Sequence, residues 1–266
     1  MRKLLYYILI AGISISCKKD TPISNPPKTT TVVDAVKSDF DTLDYEMKKI
    51  EKRLVEGSDT TEIELNVPTF TTKSVVTDSI NKLILQEMSS LFYFDTIQRP
   101  KNFDAICANF ISTYNQVHQE DQEFTSHWQA YSTTSIDYQS PKLLNLVFDY
   151  WAYTGGAHGN GATYSYFIDA KTGKQIKKEN LFSDLKGFTK LAEQKFRKQQ
   201  NVPKNVNINE TGYWFADEKF HLPQNIFLTK KGVNLLYNQY EVASYAEGPI
   251  EVVIPYTEAN QYLKLK

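Results

Sequence analysis

Cysteine is almost missing from this chain: 266 residues contain two, Cys17 and Cys107. That excludes a disulfide-stapled scaffold, so a fold of this length must be held by packing. Charge of one sign is missing too, with 30 Lys+Arg against 31 Asp+Glu. The phosphate-neutralising surface of a nucleic-acid binder is therefore not expected, and no nucleic-acid partner is implied. No apolar run approaches the roughly 20 residues that span a bilayer core. A Gly-x-Ser-x-Gly elbow, a His-Glu-x-x-His pair and a phosphate loop are all missing, and no cofactor is implied. What is plentiful is aromatic surface, with 17 tyrosines, 15 phenylalanines and a hydrophobic share of 41%. Such a chain can bury a sizeable core.

The N-terminus carries an address. Arg2 and Lys3 form a positive region, Leu4 to Ile15 an apolar one, and Ser14, Ile15, Ser16, Cys17 a small-residue cleavage site, the layout of a secretory signal. Ser16 before Cys17 is similar to the lipobox of bacterial lipoproteins, in which the cysteine is lipidated after cleavage. Residues 1–16 are read as the signal peptide and 17–35 as a disordered tether, because Lys18 to Val33 holds three prolines and almost no large apolar residue. Losing Arg2 and Lys3 takes Lys+Arg from 30 to 28 against 31 acids, a mature net charge of about −3. Lys18 stands where an aspartate would resemble an inner-membrane retention signal. The expected location is the bacterial envelope, anchored through the Cys17 lipid to the outer membrane, on its periplasmic side or at the surface.

The remainder reads as α+β: antiparallel sheets with packed helices, in two intimately joined halves, 36–160 and 161–266. Residues 36–54 suit a long exposed strand better than an amphipathic helix. Glu62 to Phe70 alternates Ile63, Leu65, Val67 with Glu62, Glu64, Asn66 and ends at a proline suited to a strand edge. Glu62 and Glu64 read as a solvated face. A helix is expected over Val75 to Phe92, with Thr77 or Asp78 near its start. A second covers Phe103 to His118 and buries Cys107 in its apolar stripe. Trp128 to Tyr138 and Leu143 to Trp151 form a hairpin across Gln139, Ser140, Pro141. Ala162 to Asp169 is the next strand, followed by a tight turn at Lys171 to Lys174 and a short pairing at Gln175 and Ile176. Asn180 or Ser183 then caps a helix over Leu185 to Gln200. Glu210 to Gln224 is loop-like. Ile226 to Leu228 pairs with Val233 to Tyr237, and Pro249 to Tyr256 closes the sheet.

The centre of the chain is the strand Asn145 to Ala152, whose alternation suits a half-buried strand, and the glycine-rich turn after it. His158 lies in that turn. As a general base it would need Asp149, Asp169 or Tyr153 beside it and a pocket; as a structural residue it would bond nearby backbone and lock the turn. His118, Glu120, Asp121, Glu123 and His127 match neither a zinc nor a calcium spacing, so no metal site is expected there.

Two stretches carry a resemblance. Tyr153, Thr154, Gly155, Gly156, Ala157, His158, then Phe167, Ile168, Asp169, Thr172, Gly173, Lys174 and Asn180, Leu181, Phe182, resemble an extracellular domain of the RsiV type, a family of unknown function. Tyr240 to Gly248 with Pro249, and Ile254, Pro255, Tyr256, resemble its closing strand pair. The preceding half is similar to the domain that precedes the catalytic module of the PdaC peptidoglycan deacetylase. Together these cover roughly residues 40 to 262. The resemblance makes Gly155, Gly156, His158, Gly173, Gly248 and Pro249 a structural motif. It implies a binding domain working at the cell wall, with a lysozyme-like protein or peptidoglycan as ligand. The deacetylase module, the transmembrane helix and the sigma-binding segment of those families have no counterpart here.

Two functions follow as expectations. One is a lipid-anchored, non-catalytic envelope domain binding a protein or glycan ligand, with Tyr213, Trp214 and Phe215 as candidate anchors; the equal alternative for these three is a place in the core. The other is a small hydrolase or wall-modifying enzyme centred on His158.

Overall fold

Alternation of apolar and polar residues builds most of the first sheet. The computed structural model describes residues 43–95, 98–121 and 126–264; the segments expected to be signal peptide and tether, Cys17 and Glu123 lie outside the described residues. Six strands follow in order β1 (Tyr45–Glu56), β2 (Asp59–Phe70), β3 (Gln129–Gln139), β4 (Leu143–Tyr153), β5 (Asn160–Asp169) and β6 (Gln175–Ile176). Every neighbouring pair is antiparallel except β2 and β3, which are parallel. Parallel neighbours need a long crossover, and two helices supply it: α1 (Val75–Phe92) and α2 (Phe103–Glu120).

On β2, Ile63, Leu65 and Val67 are fully buried under these helices. Glu62 and Glu64, read as solvated, instead make cross-strand ion pairs with Arg53 (2.9 Å) and Lys49 (3.1 Å). Pro68 sits within β2 and costs no ladder bond. The N–H and C=O of Phe70, two residues on, point away from β1 to the Asn81 amide (2.9 and 3.0 Å). Pro68 shares that orientation, and β3 pairs β2 only as far as Asn66. Its missing N–H therefore faces a gap in the sheet.

The caps differ from expectation. Ser74, not Thr77 or Asp78, caps α1; its hydroxyl accepts from Thr77 N, while Ser74 N donates to Thr77 Oγ1, a reciprocal capping box. Helix α3 (Leu185–Gln199) is capped by Asp184, whose carboxylate accepts from Gly187 N at 2.8 Å, rather than by Asn180 or Ser183.

The second sheet is separate from the first, and Pro249 to Tyr256 supplies the strand that closes it. It consists of β7 (Asn225–Leu228), β8 (Gly232–Tyr237) and β9 (Ile250–Pro255), all antiparallel, and is followed by the short α4 (Tyr256–Ala259). With α3 it encloses a core around Phe188, Phe196, Leu228, Leu235 and Ile254. The first sheet and its helices enclose another, around Leu65, Ile84, Phe110, Leu146 and Phe148.

Strand β4 serves both cores. Residues Leu143 to Phe148 are buried without a break, where alternation had indicated a half-buried strand. One face lies under the helices, and the other is covered by the second sheet, to which Leu143 contributes. The junction is polar. Asn145, fully buried, donates to Ser165 Oγ (2.9 Å) and accepts from Leu228 N (2.9 Å). Ser165 donates through its hydroxyl to Ile226 O (2.6 Å) and through its backbone N–H to Asn225 Oδ1 (3.1 Å). Asn238 brackets Thr163, accepting from its N and donating to its O. These side chains occupy the backbone groups of β5 where it has no strand neighbour, as a further strand would.

Candidate ligand-binding surface

The glycine turn between β4 and β5 and the loop between β8 and β9 meet in space. Gly155, Gly156, Gly173 and Gly248 all adopt positive φ. At Gly248 the pair φ 68°, ψ −170° belongs to a region essentially reserved for glycine, which accounts for that residue immediately before Pro249. Gly159 is required for a different reason. A β-carbon there would lie inside the indole of Trp151, so the turn folds down onto that ring.

His158 is exposed at the outside of the turn. Its Nδ1 lies 2.9 Å from Gly159 O, and its ring stacks on Tyr245 at 4.5 Å with 25° between planes. Tyr245 in turn contacts Tyr240 at 5.6 Å. Tyr240 is 56% exposed and has φ +64°, a left-handed conformation uncommon for a bulky side chain and held only where the surroundings dictate it. Glu241 supplies that restraint: its carboxylate accepts from Asn238 N (2.9 Å) and Gln224 N (2.8 Å). Trp214, 46% exposed, is tied to the same loop through Trp214 N to Val242 O at 3.0 Å. The result is a preorganised row of rings, His158, Tyr245 and Tyr240, with Trp214 on a neighbouring segment.

The three aromatic anchors expected from sequence separate. Trp214 is at the surface. Tyr213 is half-buried against Phe196 and donates to Gln200 Oε1 (3.2 Å). Phe215 is a correction: at 2% exposure it is part of the second core, packed against Phe196, Phe220 and Tyr237, and it cannot meet a ligand. Sequence reasoning did not single out Tyr240 and Tyr245 as anchors, although both lie in the closing motif. The positive φ of Tyr240 leaves no trace in a string of letters.

The partners a catalytic His158 would need are engaged elsewhere. Asp149 accepts from Thr163 Oγ1 (3.1 Å), Asp169 accepts from Lys171 N and Thr172 N (both 2.9 Å), and Tyr153 donates to Gly156 O (3.0 Å). Among the described residues, no group of three His, Cys, Asp or Glu is placed to hold a metal. His127 has Thr61 Oγ1 and the Tyr114 hydroxyl, each at 3.3 Å from its Nδ1. Cys107 is buried, and loss of solvation pushes its thiol up to about 12, the state of an inert core cysteine. Among the described residues, no helix is long and apolar enough to cross a membrane.

Comparison with known proteins agrees with this architecture. Residues 54–161 match the model of a family described as deacetylase PdaC, and residues 160–257 that of a protein family of unknown function, DUF3298. No curated protein matches the chain. A crystal structure of a DUF3298 family member from Bacteroides fragilis superposes with a TM-score of 0.62 at 20% identity, covering 83% of this chain and 93% of that one. A DUF3298 family protein from Pseudomonas aeruginosa gives 0.59 at 17% identity, covering 84% and 95%. By sequence the chain is thus similar to a PdaC-type segment followed by a DUF3298 segment, and by fold to solved DUF3298 proteins.

Proposed function

We propose that this protein is a lipid-anchored component of the bacterial envelope whose α+β domain binds a protein or glycan ligand without turning it over. The observation that carries the reading is the meeting of two motif segments, far apart in sequence, at the stacked rings of His158 and Tyr245 beside a strained, exposed Tyr240. Exposed aromatic rings held rigidly make good anchors, because little side-chain freedom is lost on binding. The PdaC-type and RsiV-type resemblances support a ligand at the cell wall, a lysozyme-like protein or peptidoglycan. Membrane attachment through the Cys17 lipid and an outer-membrane location belong to the same proposal. The hydrolase alternative has less support, since His158 Nδ1 faces the carbonyl of its own turn.

Calorimetric titration of soluble residues 34–266 with c-type lysozyme and with peptidoglycan fragments tests it. Saturable binding without product formation is expected, with Tyr240→Ala and Tyr245→Ala each weakening it by about tenfold or more and leaving the thermal transition in place. Absence of binding to either ligand removes the proposal. Product formation that depends on His158 replaces it with the enzyme.

A further inference from the structure

Among the described residues, β1 is an edge of the first sheet with no strand on its outer side, and we infer that it is the docking surface for a second copy of this chain. Asp44 O accepts from Thr71 N, so even-numbered residues of β1 bond to β2. The N–H and C=O groups of Tyr45, Met47, Lys49, Glu51, Arg53 and Val55 therefore point outward along a strand of 12 residues. Other edges are short or occupied. β6 has two residues; β5 is bracketed by Asn225 and Asn238; β7 donates Leu228 N to Asn145; β9 has Glu251 O taken by Gln199 Nε2 at 2.6 Å.

An uncovered edge of this length is a template for another strand, and the side chains of β1 are complementary to themselves. In an antiparallel pair centred on Lys52, Glu51 faces Arg53 of the second copy, Lys48 faces Glu56 and Ile50 faces Leu54, each contact occurring twice by symmetry. Ile50 and Leu54 are half-buried against the first core, and the pairing covers what remains of them. The one unfavourable contact is Lys52 with its own copy on the axis. The expected assembly is a continuous sheet through two molecules, independent of the ligand proposed above.

The geometry gives a register-specific test. Lys52 bonds inward to β2, so the two Lys52 residues form a non-hydrogen-bonded pair with Cα atoms about 4.5 Å apart, a spacing a disulfide accepts. Mild oxidation of Lys52→Cys in the full chain should give a covalent dimer, while Met47→Cys stays monomeric. Both variants also carry Cys17→Ser, which removes the other thiol of the chain, and buried Cys107 does not compete. Sedimentation of the unmodified full chain should show a concentration-dependent dimer. Glu51→Pro removes an outward N–H without touching the β1–β2 ladder and should weaken association at least tenfold with unchanged circular dichroism. A chain that stays monomeric, or a dimer that neither cross-links at position 52 nor responds to Glu51→Pro, overturns the inference. If Glu51→Pro fails to fold, the cross-link decides alone.

Discussion

Asn145 shows how much one buried amide can specify. It sits at the joint of two cores and satisfies Leu228 N, Ser165 Oγ and the carbonyls of Leu146 and Tyr166. Replacing it with Ala strands a buried N–H and opens a void, and Asn145→Ala should cost about 2–4 kcal/mol, measured by urea unfolding. A fall below ~1 kcal/mol would mean that water replaces the amide without penalty. Cys107 makes the opposite point, being a polarisable residue used as a hydrophobe. With its thiol pushed up to about 12 by burial, iodoacetamide at pH 8 should leave Cys107 of the folded chain unlabelled and modify it fully once urea is added. Rapid labelling of the native protein would show that helix α2 opens locally.

Elements are held at their ends by residues that composition does not flag. The Ser74 and Thr77 pair closes the first turn of α1 in both directions. Ser74→Ala should lower stability by about 1 kcal/mol, visible as a lower thermal midpoint, whereas Asp78→Ala should have a much smaller effect. Gly173 ties the β5–β6 turn to the same helix: a β-carbon there would come within 2.7 Å of Val76 O, and Ser79 Oγ donates to Gly173 O at 2.9 Å. One glycine thus serves both as a turn residue and as the landing point for a helix.

For the whole molecule, the many tyrosines set the response to alkali. Burial raises the phenols of Tyr150 and Tyr256 to about 12, and raises those of Tyr131, Tyr166 and Tyr237 as well, with the carboxylates of Glu62 and Glu87 adding to the effect at Tyr131 and Tyr166. Below the unfolded phenol value of about 10 both states are protonated and this stabilisation is fully present. Above it the unfolded chain loses protons first, so stability falls as pH rises towards the folded values. Urea midpoints should hold steady from pH 8 to 9.5 and then decline through pH 11. Phenolate absorbance from these five should appear together with unfolding; its appearance in a still-folded protein would contradict their burial.

Much of this organisation was legible in the letters. The α+β class, the span Val75 to Phe92 and the hairpin expected over Trp128 to Tyr138 and Leu143 to Trp151 follow from periodicity, because burial of one face imposes it directly on the sequence; the strand expected within residues 36–54 lies at Tyr45–Glu56, almost wholly exposed and without such a pattern. Thr77 and Asp184 illustrate the limit. Any hydroxyl or carboxylate near a helix start can cap it, and only the chain's path shows which one reaches the free N–H groups. The site was half legible, since the glycine motif and the closing motif could each be quoted while their meeting at His158 and Tyr245 could not. Phe215 was misplaced for the same reason: an aromatic in a loop is anchor or core according to what packs over it. Local patterning alone decided strands, helices and turns, because those depend on neighbours within a few residues. Tertiary structure decided that β4 is buried on both faces, that Asn145 joins two cores and that two remote loops share one ring stack, because each of these depends on residues brought together from opposite ends of the fold.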